Sequence, residues 1–224
     1  MLIVALDPPV NEDINLWIKY RYEILMDVVQ GFKIGLPAIV KYGVDNIAYN
    51  FKGYDGLLIA DLKLADIGDI MALVAKWLKV AGFNTIIAHS FVGYKQGLEV
   101  LARTCKEKGL NLVIVVSMSH DGSKEFIDKH IDEFVELAKN VETWGVVAPA
   151  TRPEIIKYIR SKLGTNVKIL SPGVGVQGAL PGDAICAGAD YEIVGRAITH
   201  AVNIREVALN IIKQQKRKVM ECRG

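Results

Sequence analysis

The chain alternates, eight times, between a short apolar run rich in β-branched residues and a stretch of helical periodicity. The apolar runs cover residues 2–6, 31–35, 57–60, 85–89, 110–116, 144–148, 167–170 and 191–194. Helical spacing covers 13–29, 37–51, 67–81, 95–108, 124–140, 154–163, a short piece at 183–187, and 203–216. In the first helix Ile14, Trp17, Ile18, Ile24, Leu25, Val28 and Val29 recur every three or four positions, with charges between them. In the fourth-strand approach, 67–81 offers Ile70, Leu73, Val74, Trp77 and Leu78 as its apolar face and stops at Gly82. Strands this short, separated by helices, read as parallel βαβ units.

Eight such units in 224 residues match a closed barrel near its lower size limit. The expected fold is α/β, a single-domain (β/α)8 TIM barrel spanning residues 1–224. An open doubly wound sheet is the alternative, but no G-x-G-x-x-G follows the first strand, where a dinucleotide fold carries it. The chain is 51% hydrophobic, enough for a substantial core, and its formal charge is only +2. Near-balanced charge gives no electrostatic case for nucleic acid. The basic cluster KQQKRK at 213–218 sits near the end of a helix, where it complements the dipole. Cys105, Cys186 and Cys222 are scattered and odd in number, so the sequence suggests neither a zinc site nor a disulfide framework, and a reducing compartment is the default. No apolar run is long enough to span a membrane, and Met1 leads straight into the first strand. A cytoplasmic protein without a membrane partner is expected.

In a barrel all strand C-termini open on one face, where ligands bind. The residues waiting there are Asp7, Lys33, Asp61, Lys63 and, just beyond, Asp66. Further round the rim come His89, Ser117, Ser119, His120, Gln177, Gly195 and Arg196. Strand ends do not collect this much charge for stability, since buried ion pairs are at best weakly stabilising. Asp61 and Lys63 are two apart and share a face of an extended chain, which suggests one ammonium between the carboxylates of Asp61 and Asp66. The glycine-rich loop SPGVGVQG at 171–178, which includes Pro172, offers bare backbone amides. Gly195 and Arg196 add an amide and a guanidinium, so the last two strand ends suit a phosphate. No metal is expected: Lys63 supplies the positive charge beside the carboxylates, and the histidines lack ligand spacing. His89 and His120 read as structural or pocket-lining, and His130 and His200 as ordinary helix or loop residues. Tyrosines and tryptophans at helical spacing read as packing.

Six motifs now add up: VALD at 4–7, FKIG at 32–35, IADLKLADI at 59–67, MSHDG at 118–122, SPGVGVQG at 171–178 and VGR at 194–196. In this order and at these strand ends, the chain resembles the orotidine 5′-monophosphate decarboxylase family in its short prokaryotic or archaeal form, essentially end to end. The resemblance implies cofactor-free decarboxylation of orotidine 5′-monophosphate to UMP, the last step of pyrimidine nucleotide synthesis. It implies that Lys63 protonates C6 of the pyrimidine and that Asp61 lies beside the departing carboxylate. Lys33 and Asp7 then contact the ribose hydroxyls and order the charges, and Ser119 bonds the pyrimidine amide edge. Pro172, Gln177, Gly195 and Arg196 hold the substrate at its phosphate end, with the loop around Gln177 as a lid. Asp66 reaches into the other subunit of a homodimer. One position departs from the family pattern: where relatives often carry a proline and then a threonine, this chain has Gly68 and Ile70.

The physics of the activity that the resemblance implies can be checked on the residues themselves. Decarboxylation needs no nucleophile; it needs charge developing on carbon to be stabilised and then a proton, and a fixed ammonium does both. Ile87, Val115 and Val147 offer either a dry wall for neutral carbon dioxide or plain core packing. Two rivals differ in class. Magnesium-dependent 3-keto-L-gulonate 6-phosphate decarboxylases and hexulose-phosphate synthases share D-x-K-x-x-D but typically carry a metal-binding glutamate where this chain has Lys33. A non-enzymatic nucleotide-binding regulatory barrel has no need of an acid beside the pyrimidine.

Overall fold

The computed structural model describes residues 1–9 and 12–223; the expected span of 1–224 includes Val10, Asn11 and Gly224, which lie outside the described residues. Eight parallel strands close into a barrel in sequence order. They are β1 (Leu2–Ala5), β2 (Gly31–Gly35), β3 (Leu57–Leu64), β4 (Thr85–His89), β5 (Asn111–Val115), β6 (Gly145–Val147), β7 (Lys168–Pro172) and β8 (Tyr191–Val194). Closure comes from β1 pairing with β8, Ile3 opposite Ile193. The helices are α1 (Ile14–Leu25), α2 (Leu36–Tyr42), α3 (Val44–Tyr49), α4 (Gly68–Ala81), α5 (Glu99–Lys108), α6 (Ile131–Asn140), α7 (Pro153–Leu163), α8 (Asp183–Ala187), α9 (Arg196–Thr199) and α10 (Ile204–Arg223).

Side chains alternate across each strand, and the two faces build two cores. Ile3, Ala5, Ile59, Ile87, Val113, Val115, Val147, Leu170 and Ile193 fill the barrel interior. Leu2, Val4, Phe32, Ile34, Ile86, Ile114, Val146 and Ile169 face outward into the helical layer. This parity positions the site: continuing the inward series past Ala5, Ile59 and Ile87 brings Asp7, Asp61 and His89 to the mouth.

The structure changes several details of the sequence reading. The helix expected over 37–51 is two, broken at Gly43, whose φ is 79°. The third strand runs on to Leu64, with its pairing to β4 shifted between Ala60 and Leu64. Residues 94–98 form an irregular turn before α5, and 121–130 form two 3-10 turns before α6. The last helix extends to Arg223.

Two corrections are larger. The buried face of α4 is Met71, Ala72, Ala75 and Leu78, whereas Ile70, Leu73 and Trp77 of the expected apolar face point outward, Trp77 58% exposed. With apolar residues on both sides of the helix, spacing alone did not reveal which side meets the barrel. Cys186 on α8 and Cys222 on α10 form a disulfide, with Cα atoms 6.0 Å apart, contrary to the expectation that no disulfide is present; Cys105 is free and buried. The two cysteines are 36 residues apart, and only the packing of α10 against α8 brings them together. No helix among the described residues is long and apolar enough to cross a membrane.

Candidate active site

At the C-terminal mouth, four charged groups alternate in sign. Lys33 Nζ lies 3.6 Å from Asp7 Oδ2 and 3.2 Å from Asp61 Oδ2. Lys63 Nζ donates to Asp61 Oδ1 at 2.8 Å. Asp7 Oδ1 in turn accepts from the Gly35 N–H at 3.0 Å, which fixes the first carboxylate to the end of β2. Lys33 and Asp61 are the buried members, 8% and 9% exposed. Burial alone lowers a lysine, but the charges of Asp61 and Asp7 outweigh it and hold the Lys33 pKa above its ordinary value. Burial alone raises a carboxyl, but Lys33 and Lys63 outweigh it and hold Asp61 below its ordinary value. Both therefore stay charged through the neutral range.

Lys63 is placed by strain. Its φ is 45°, the left-handed region that non-glycine residues seldom adopt, and it lies within the shifted stretch of β3. A bulge there re-aims the side chain into the mouth. Such a backbone costs on the order of 1–3 kcal/mol and persists only where its surroundings impose it. Beside it, His89 packs against Phe91 with ring centroids 4.6 Å apart. Burial first, and the Lys63 cation second, lower the His89 pKa, so its ring is neutral at neutral pH.

The array floors a cavity of about 220 Å³. Lys33, Asp61 and Lys63 form its charged side, Ser119 and Gln177 its polar edge, and Ile87, Met118, Val147 and Ile193 an apolar wall. A second cavity of about 330 Å³ adjoins it, sharing Lys33, Pro172, Gln177 and Ile193. Asp7, Gly173, Gly195 and Arg196 line this second space. The loop between them bonds to itself: Gly178 N–H donates to Gly175 O at 2.8 Å and Gly175 N–H to Ala179 O at 3.0 Å. Gln177 stands exposed at its tip. The pair of cavities thus joins a half-apolar, half-ionic slot to an arginine-bearing, glycine-lined one.

Most residues expected from sequence meet here: Asp7, Lys33, Asp61, Lys63, Ser119, Pro172, Gln177, Gly195 and Arg196 all line one cavity or both. Of the possible apolar wall, Ile87 and Val147 reach the cavity, while Val115 belongs to the interior core. Asp66 does not join the array within one chain. It is exposed and accepts from the Ile67 N–H at 2.7 Å, so the expected flanking of Lys63 by two carboxylates of the same chain is replaced by a pair with Asp61. His120 is exposed away from both cavities, and His130 pairs with Glu133 on the surface. The sequence reading missed Met118, Ile193 and His200 as lining residues. Inward parity along β8 could have found Ile193.

A family model described as "Orotidine 5′-phosphate decarboxylase / HUMPS family" matches residues 1–211. An orotidine 5′-phosphate decarboxylase of Aeropyrum pernix is 50% identical over 201 residues, covering 88% of this chain and 81% of the relative. One of Pyrococcus abyssi is 46% identical over 212 residues, covering 94% and 97%. The crystal structure of orotidine 5′-monophosphate decarboxylase from Sulfolobus solfataricus superposes with a TM-score of 0.85 at 35% identity, covering 97% of this chain and 98% of that one. The enzyme from Methanocaldococcus jannaschii complexed with the inhibitor BMP gives 0.84 at 31% identity, covering 98% and 97%.

Proposed function

Because the chain belongs to the orotidine 5′-phosphate decarboxylase / HUMPS family, we propose that it converts orotidine 5′-monophosphate to UMP and carbon dioxide without a metal or organic cofactor. The observation that carries this reading is the Asp7–Lys33–Asp61–Lys63 array under a small cavity with one apolar wall. The pyrimidine occupies that cavity and the phosphate the larger one beside it. Arg196, Gln177 and amides of the glycine-rich loop other than those of Gly175 and Gly178 then bind a dianion far from the reacting bond, and Ser119 meets the ring's polar edge.

The step balances without a nucleophile. The bond between C6 and the carboxyl carbon breaks with its electron pair left on C6, and Lys63 Nζ–H supplies the proton that forms the new C–H bond. Lys63 becomes neutral and regains its proton from solvent after release. Its charge, held by Asp61, is already in place when the pair develops, so it costs no reorganisation at that moment. Asp61 repels a carboxylate placed beside it by about 4 kcal/mol at 4 Å and an effective dielectric of 20. That repulsion is relieved as neutral carbon dioxide leaves toward the apolar wall. Binding energy from the phosphate end offsets it in the ground state.

A magnesium-dependent reaction is disfavoured, because the Lys33 ammonium stands between the Asp7 and Asp61 carboxylates that a divalent ion would need. A second copy of the chain completes the site in this reading. Asp66 is exposed at the end of β3, and the outward stripe Ile67, Ile70, Leu73, Trp77 and Val80 runs from it along α4. An apolar stripe of this extent marks an association surface. The test is direct: protein purified through EDTA bleaches the orotidylate absorbance and forms UMP. Turnover restored only by added magnesium would overturn the reading, and tight UMP binding without turnover would support a regulatory barrel instead.

A further inference from the structure

The loop that carries Ser119 is held by an ion pair that touches neither cavity. Arg152 sits just before α7, and its side chain reaches back across the rim to the loop after β5. Its Nη1 donates to Asp128 Oδ2, and its Nη2 donates to Met118 O and, at 3.1 Å, to Ser117 Oγ. Asp128 Oδ1 also accepts from Ser117 Oγ and Ser123 Oγ, each at 2.7 Å. Ser123 Oγ then accepts the Met118 N–H at 3.1 Å. Both backbone polar groups of Met118, the residue before Ser119, are thereby fixed by side chains of one network. The Arg152 and Asp128 side chains are 13% and 12% exposed.

Stability is a poor reason to keep such a pair, since a largely buried ion pair is often no better than apolar residues of the same volume. Its geometry has a clearer use. A planar guanidinium grips two or three acceptors at set angles and so fixes a loop that has no strand partner at that point. We propose that Arg152, acting through Asp128, Ser123 and the Met118 carbonyl, is a positioning residue that sets Met118 and Ser119 against the pyrimidine ring. The inference rests on the assignment of Ser119 as a ring contact made above.

Three variants test it: Arg152→Lys, Ser119→Ala and the two combined, each checked by thermal melting. Lysine keeps the charge but loses the fork. Arg152→Lys lowers kcat/KM roughly tenfold to a hundredfold, the usual cost of losing a hydrogen bond to a charged group. Affinity for inorganic phosphate, which reads the other cavity, stays unchanged. In the Ser119→Ala background the same lysine substitution costs less than about threefold, because the residue it positions is gone. Full additivity, or a wild-type kcat/KM for Arg152→Lys, overturns the proposal. A silent Ser119→Ala overturns it too, and shows that the ring-contact assignment is what failed. Should Arg152→Lys not fold, Ser123→Ala removes the Met118 N–H acceptor and the bond to Asp128 while leaving the guanidinium in place, and is read against Ser119→Ala in the same way.

Discussion

Lys63 combines three properties that no single-residue preference predicts: a left-handed backbone, a carboxylate at 2.8 Å and a place on a cavity wall. Its charge was legible in the sequence because an ionic residue two positions after Asp61, at a strand end, is out of place unless used. Its φ was not legible, since the bulge arises from the register of β3 against β4. Asp66 shows the same boundary: its residue type and position were readable, but its turning out of its own chain's array depends on tertiary placement. The pH dependence of stability follows from the array. Asp61 titrates below its ordinary value, so its contribution is full above pH ~4 and is lost as pH falls through the depressed folded value. Lys33 titrates above its ordinary value, so its contribution is full below pH ~10 and is lost as pH rises through the raised one. Urea melts as a function of pH will show a plateau between those limits, and Asp61→Asn will flatten the acid limb. An acid limb of unchanged slope in that variant would contradict the assignment.

At the scale of elements, the strands were the readable part, because inward and outward residues are both apolar and the turn residues on either side are strong breakers. β2, β4 and β8 begin and end where the sequence places them. Helices were less readable in their starts, where irregular turns precede α5 and α6, and α4 was misread in its face. The departure at Gly68 finds its reason here. A Cβ at this position would lie 2.6 Å from Gln96 O, 2.6 Å from Val100 Cβ and 2.8 Å from Gly97 O. The 94–98 turn therefore packs onto the start of α4 through the space a side chain would fill. Gly68→Ala must push that turn away and will destabilise the fold by roughly 1–3 kcal/mol, measured by chemical denaturation. Unchanged stability would mean that the turn yields freely.

For the whole molecule, sequence order gave the ring of strands, and long-range closures had to come from the structure. The Cys186–Cys222 bond joins α10 to α8, the helix that directly follows the glycine-rich loop. Glu192 reinforces the same junction, accepting from Gly182 N–H at 2.9 Å and from Gln215 Nε2 at 2.9 Å. Cross-linking a loop of this length stabilises by about 2–4 kcal/mol. Cys222→Ser will lower the melting temperature by roughly 5–15 °C without loss of turnover at moderate temperature. An unshifted melt would mean the bond adds nothing to the folded state. The proposed dimer is tested by subunit exchange. Equal mixing of Lys63→Ala and Asp66→Ala chains restores activity to about a quarter of the sites, because one site in each mixed dimer takes its lysine from one chain and its aspartate from the other. No recovery after proven exchange would place each site within one chain. The most direct measurement is turnover of orotidine 5′-monophosphate by Lys63→Ala, alongside UMP binding by the same protein. The account predicts a folded chain that still binds UMP and whose kcat falls by at least about 10³-fold. A Lys63→Ala protein with near-normal kcat would show that the proton comes from elsewhere.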